Sequence, residues 1–169
     1  MRGPITEQSA TECIAQLLFL ASQRPQEPVT LYLDSPGGLV ADSIAIIRTI
    51  DRLSCPVATF CCGEAGGTAA VIVAHGSKGA RVAVPSAHFA FTTVFADARR
   101  GYVRAELSQF PQALAEILAE DAHKHETEIL GWFRDSTEFT AERALSLGLI
   151  DSISDDVNLF QAPRNHIQT

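Results

Sequence analysis

The sequence predicts the α/β class, with a mostly parallel sheet layered between helices, and three observations carry that expectation. Short β-prone runs alternate with stretches of helical apolar spacing. Two of those runs end in Gly-rich turns that lead straight into helices. A length of 169 residues with a 46% apolar share suits one domain with a sizeable core.

The elements follow in order. From Thr6 to Ala21, apolar residues recur at Ala10, Cys13, Ile14, Leu17, Leu18 and Ala21, the spacing of a helix with one buried face. Pro28 to Asp34 reads as a strand. It runs into Ser35-Pro36-Gly37-Gly38, a turn in which proline fixes one dihedral, glycine permits a positive φ and Asp34 is expected to cap. Leu39 to Leu53 returns to helical spacing through Ile44, Ile47 and Ile50, and Pro56 to Cys62 is a second strand. The loop Gly63-Glu64-Ala65-Gly66-Gly67-Thr68 then opens a helix of small and branched residues. Arg81 to Val84 and His88 to Thr93 form two short strands across a Pro85-Ser86 turn. Arg104 to Ile129 reads as a long charged helix, kinked or divided at Pro111, whose ring removes a donor and clashes with the preceding turn. Thr140 is an N-cap for a helix through Leu147, Gly148 stops it, and Leu149 to Ile153 is the last strand. Residues 1–155 make the domain and 156–169 a tail.

Composition excludes several functions. A net charge of -7, with only 13 Lys and Arg spread along the chain, does not build the basic face that phosphate neutralisation requires. The longest apolar runs fall far short of the roughly 20 residues needed to span a bilayer, and no leader pattern is present, so a cytoplasmic protein is expected. The four cysteines lack Cys-x-x-Cys spacing, and Cys61 and Cys62, adjacent on a strand, point to opposite faces. His123 and His125 lie two apart on a helix, the wrong spacing for shared ligation, so neither a metal nor another cofactor is expected.

Ligands of parallel sheets sit where strands give way to helices, and both Gly-rich loops occupy such places. Backbone N–H groups at Gly37, Gly38, Gly67 and Thr68 could form a cradle for an oxyanion or a peptide carbonyl; the glycines could equally serve only tight turning and close packing. Glu64 reads as a loop carboxylate balancing nearby N–H groups, with general acid–base work as the alternative. His88 reads as a surface or turn histidine, and His75 is a further local titratable group.

The ordered set Ile14-Ala-Gln-Leu-Leu-Phe-Leu20, Leu31-Tyr-Leu-Asp-Ser-Pro-Gly-Gly38, Gly63-Glu-Ala65, Gly76-Ser-Lys-Gly-Ala-Arg81, Val84-Pro-Ser86 and Ser146-Leu-Gly-Leu-Ile-Asp-Ser-Ile153 resembles the proteolytic subunit of the Clp protease, within the crotonase-like superfamily. The likeness covers about residues 3 to 153 and is weakest from 94 to 130. It implies a repeated β-α-β spiral with a projecting helical handle, assembly into seven-membered rings, and docking of AAA+ unfoldase chaperones. It also implies a serine, a histidine and an aspartate at positions that hold Gly67, Thr92 and Ser136 here. Thr68, Glu64 and Asp135 are the nearest substitutes, but a hydroxyl without a base is a weak nucleophile. The oxyanion-hole amides of the family map onto Gly38 and Thr68. The chaperone pocket maps onto Tyr32 and Phe60, with Arg52 where an aromatic is expected.

Further departures are the stretch Ala96 to Tyr102, which replaces a Gly- and Gln-rich handle strand, and a first strand and axial loop expected to be missing before the first helix. Three readings follow. The first is a catalytically inactive, homo-oligomeric ring subunit working with an active paralogue or an AAA+ partner. The second is an enzyme of another reaction type that reuses the amides on an acyl or peptide substrate. The third is a homo-oligomeric scaffold that binds a peptide ligand.

Overall fold

The computed structural model describes residues 1–91 and 110–156, the side chains of Phe110 and Pro111 excepted. The expected stretch Ala96 to Tyr102, position Thr92 and most of the tail lie outside the described residues. The order is α1 (Glu7–Gln23), β1 (Val29–Ser35), α2 (Val40–Arg52), β2 (Val57–Gly66), α3 (Thr68–Ala74), β3 (Arg81–Ala83), β4 (His88–Ala90), α4 (Phe110–Ala122), α5 (Glu126–Arg134), β5 (Glu138–Thr140), α6 (Ala141–Ser146) and β6 (Ser152–Ile153). This is the α/β class that alternation predicts.

The sheet runs β5-β4-β2-β3-β6, with β1 also paired to β2. All pairs are parallel except β4 with β5. Strand β2 organises the rest. Its first half lies between β1 and β3, while Glu64, Ala65 and Gly66 pair with His88, Phe89 and Ala90 of β4. The expected loop at 63–66 is therefore strand, because β4 supplies partners for backbone groups that a loop would leave to water.

The β1–β2 register slips between Leu33 and Ser35, where Leu33 faces Cys61 but Ser35 faces Ala65. The Asp34 carboxylate fills the resulting bulge, accepting from the Glu64 amide at 3.1 Å and pairing with Arg2 at 3.1 Å. The turn that Asp34 was expected to cap is closed instead by Ser35, whose Oγ accepts from the Gly37 amide at 3.1 Å. Residues 1–5 run beside β1 and the turn after it as an edge segment, with parallel bridges Arg2 to Asp34 and Ile5 to Gly38.

Helix α1 opens on a reciprocal cap: Thr6 Oγ1 accepts from the Ser9 amide at 3.2 Å, and Ser9 Oγ accepts from the Thr6 amide at 2.9 Å. Helix α3 is buried at every residue, which explains its composition of threonine, alanine, valine and isoleucine. The expected long helix is broken at His123 to His125, between α4 and α5, and its expected portion before Phe110 lies outside the described residues. As described, α4 begins at Phe110, with Pro111 its second residue. His123 adopts φ +52, and the Lys124 amide reaches back to the Ala119 carbonyl at 2.9 Å, ending α4 in a left-handed turn. Ser136 ends α5 the same way at φ +50, with the Thr137 amide bonded to the Trp132 carbonyl at 2.9 Å. No helix among the described residues is long and apolar enough to cross a membrane.

Candidate functional site

The junction of β2 and α3 is a sharp strand-to-helix elbow, and Gly67 is its apex. Gly67 adopts φ 48 and ψ −114, which side-chain-bearing residues resist, and its amide donates to the Ala90 carbonyl at 2.6 Å. On α/β scaffolds an elbow of this kind presents a nucleophile. Here the apex carries only hydrogen.

The Ser35–Gly38 loop packs against this elbow backbone to backbone. A methyl group on Gly37 would strike the Gly66 carbonyl oxygen, one on Gly66 the Pro36 oxygen, and one on Gly38 the Ile5 oxygen. Close packing alone therefore requires glycine at these three positions. Strand-side bonds hold the loop as well: the Ile5 amide donates to the Gly37 carbonyl at 2.8 Å and the Leu39 amide to the Ile5 carbonyl at 2.9 Å.

Within this arrangement the Gly38 amide already has a partner. It donates to Thr68 Oγ1 at 3.1 Å across a buried contact. Gly38 and Thr68 are thus brought together, but the amide that the cradle would offer to an oxyanion is occupied by the neighbouring hydroxyl. Thr68 itself is buried, in the first turn of α3.

The remaining candidates are dispersed. Glu64 is exposed at the bulge, and His88 pairs with Glu138 at 3.4 Å on the antiparallel edge. Asp135 is exposed and bound to its neighbour Arg134 at 2.8 and 3.1 Å, which holds its carboxyl below the usual range. Ser136 is exposed in its left-handed turn. Tyr32 and Phe60 stack across β1 and β2 with ring centres 5.6 Å apart; Phe60 is fully buried and Tyr32 half-buried. Cys61 is buried and Cys62 exposed, on opposite faces as alternation requires, and burial pushes the Cys61 thiol up to about 11.

Two features, one at each end of α3, have little signature in the sequence. Phe91 is enclosed by Trp132, Phe133 and Phe139 at 5.3, 5.4 and 5.6 Å, so the end of β4 is locked to α5 and β5. The only hint is the aromatic density of 132–139. At the other end of α3, Arg81 is 5% exposed and grips Asp151 through Nε–Oδ2 at 2.9 Å and Nη2–Oδ1 at 2.5 Å. Its Nη1 also donates to the Ala74 and Gly148 carbonyls at 3.1 and 2.9 Å. Both residues belong to the quoted motifs, whose spacing gives no sign of their pairing.

Comparison with known proteins agrees with this geometry. A family model described as Clp protease matches residues 1–157. The chain is 34% identical over 154 residues to the ATP-dependent Clp protease proteolytic subunit 1 of Chlamydia felis, covering 88% of this chain and 76% of that protein. It is 36% identical over 159 residues to the ATP-dependent Clp protease proteolytic subunit 2 of Streptomyces coelicolor, covering 88% and 71%. It is 34% identical over 157 residues to a putative ATP-dependent Clp protease proteolytic subunit-like protein of the same organism, covering 89% and 74%. With the elbow, the Ser-Pro-Gly-Gly loop and the curled parallel sheet in place, the chain belongs to the Clp protease family.

Proposed function

We propose that this chain is a non-proteolytic subunit of a Clp-type ring, contributing structure and partner-binding surface rather than hydrolysis. The observation that carries the reading is the apex of the elbow, where Gly67 offers no nucleophile. Acyl transfer by the serine route needs a nucleophile and a base acting as a unit, and without both the oxyanion hole has no tetrahedral intermediate to hold. The Thr68 hydroxyl on the Gly38 amide speaks in the same direction, since a substrate carbonyl would have to displace it. This also counts against an enzyme that reuses the same amides for another reaction.

Partner binding is supported by the surface of α1, where Leu18, Phe19 and Leu20 are exposed, Phe19 by 62%. Monomeric surfaces rarely leave such groups together without use. The test has two parts. The purified chain should release no product from fluorogenic peptides and take no label from a serine-directed fluorophosphonate, alone or mixed with an active paralogue. Native mass measurement of the mixture should show both chains in one ring. Stoichiometric labelling of this chain would overturn the inactive reading, and rings that contain this chain alone would favour a homo-oligomeric scaffold.

A further inference from the structure

Away from the elbow, the far end of α3 carries a side chain that the ring-subunit reading does not use. His75 is the C-cap residue of α3, and its ring points between α2 and α4. Nδ1 lies 2.7 Å from Asp121 Oδ2 on α4, and Nε2 lies 2.9 Å from Asp51 Oδ1 on α2. The His75 side chain is 16% exposed, that of Asp121 15% and that of Asp51 57%.

Both contacts are made at once only in one protonation state. An ionised carboxylate only accepts, and a neutral imidazole has one donor nitrogen and one acceptor, so a neutral ring would set a lone pair against one of the carboxylates. A proton placed on that carboxylate instead would pass to the ring, the stronger base. The imidazolium satisfies both contacts, and the C-terminal end of α3 favours the cation further.

The surrounding charges decide which contact is surrendered. From α2 come Asp51 and Arg48, and from α4 come Asp121, Glu116 and Glu120. From the turn after α3, Lys78 Nζ bonds the Asp121 carbonyl and lies 3.9 Å from Asp121 Oδ1. From β3, Arg81 Nη1 lies 3.4 Å from the Asp121 carbonyl oxygen, while its other nitrogens hold Asp151. Asp121 is thus enclosed and has a second cation, whereas Asp51 is open to water. A ring that loses one proton keeps Asp121 and lets go of Asp51.

We propose that His75 is a pH-dependent clamp between α2 and α4: the protonated ring ties Asp51 to Asp121, and the neutral ring frees α2 from α4. The clamp spans the end of a cleft of about 610 Å³ whose apolar wall is Ile44, Ile47, Ala113 and Ile117, so release loosens the two helices along that cleft. Burial alone pulls the His75 pKa down. The hydrogen bond and charge of Asp121, followed by those of Asp51, outweigh it and raise the folded value above the ordinary 6.5. A raised histidine contributes stability that is complete below its unfolded pKa and disappears as pH climbs through the folded one.

The experiment is an NMR titration of the imidazole nitrogens in the full chain, with His75 assigned by comparison with His75→Gln. It is paired with urea midpoints at about pH 5.5 and about pH 8.5. The His75 midpoint should lie above 6.5 and move down in Asp51→Asn. The urea midpoint of the parent should exceed that of His75→Gln at the lower pH, and the gap should close at the higher one. A midpoint at or below 6.5, or a gap that is the same at both pH values, overturns the clamp. Should His75→Gln fail to fold, the exposed Asp51→Asn substitution decides alone: its urea midpoint must fall below the parent's at the lower pH only.

Discussion

The amide of Gly38 donates to the hydroxyl of Thr68 at 3.1 Å, joining the loop after β1 to the first turn of α3. Replacing Thr68 by valine keeps the shape and removes the acceptor, leaving a buried N–H without its partner at a cost of about 1–3 kcal/mol. Thr68→Ser retains the oxygen and should cost less than valine. Urea denaturation of the two variants measures the difference, and equal losses would mean that the bond contributes nothing to folding.

Placing a hydroxymethyl group at the elbow should not create a protease. Gly67→Ser puts a side chain on a residue at φ 48, which costs about 1–3 kcal/mol in backbone strain. With threonine rather than histidine at position 92, the new hydroxyl stays unactivated. The expected outcome is a lower thermal midpoint with no fluorophosphonate labelling; labelling above the parent would show that another group serves as base.

Two residues hold left-handed conformations that glycine would adopt more easily. His123 at φ +52 and Ser136 at φ +50 are both exposed and close helix ends. His123→Gly and Ser136→Gly should each raise stability by about 0.5–1 kcal/mol, the relief of left-handed strain minus the greater freedom of glycine in the unfolded chain. The test for Ser136 is also a test of its proposed position in the site: Ser136→Asp should leave peptidase activity at background and bring no gain in stability.

Arg81 and Asp151 supply an acid-side dependence. Removing the guanidinium in Arg81→Met strands a carboxylate and three carbonyls and should cost about 3–5 kcal/mol. Burial raises the Asp151 pKa, but the Arg81 bonds and charge, with the Gly79 amide, pull it below the ordinary value. A lowered carboxylate contributes stability above its unfolded pKa and loses it as pH falls through the folded one. Asp151→Asn should therefore be less stable than the parent near neutrality and approach it in strong acid. A difference independent of pH would show that charge plays no part.

The parts of this architecture written in local pattern were readable, and those written across the chain were not. Periodicity locates α1 and α2, and cap chemistry locates α6: Thr140 caps it as expected, with Oγ1 accepting from the Arg143 amide at 3.3 Å. The end of β2 is hidden from sequence reading because glycines usually signal a turn, whereas here they permit close approach of Pro36 and Asp34 to a paired strand. The break between α4 and α5 is a histidine in a left-handed turn, which composition does not mark. Strand β5 has three residues and depends on β4 for its existence. At the site, motif position identified Gly67, Gly38 and Thr68, but not that one of them occupies the amide of another. His75 was visible only as an isolated titratable group, since its two carboxylates lie 24 and 46 residues away.

The three-way pairing of β2 bears on how this chain comes apart. Because β1, β3 and β4 all hydrogen-bond to that single strand, neither flank of the sheet can peel away as a separate folding unit without exposing its backbone. Its amides between Val57 and Gly66 should be the last to exchange with deuterated solvent, released only when the whole molecule opens.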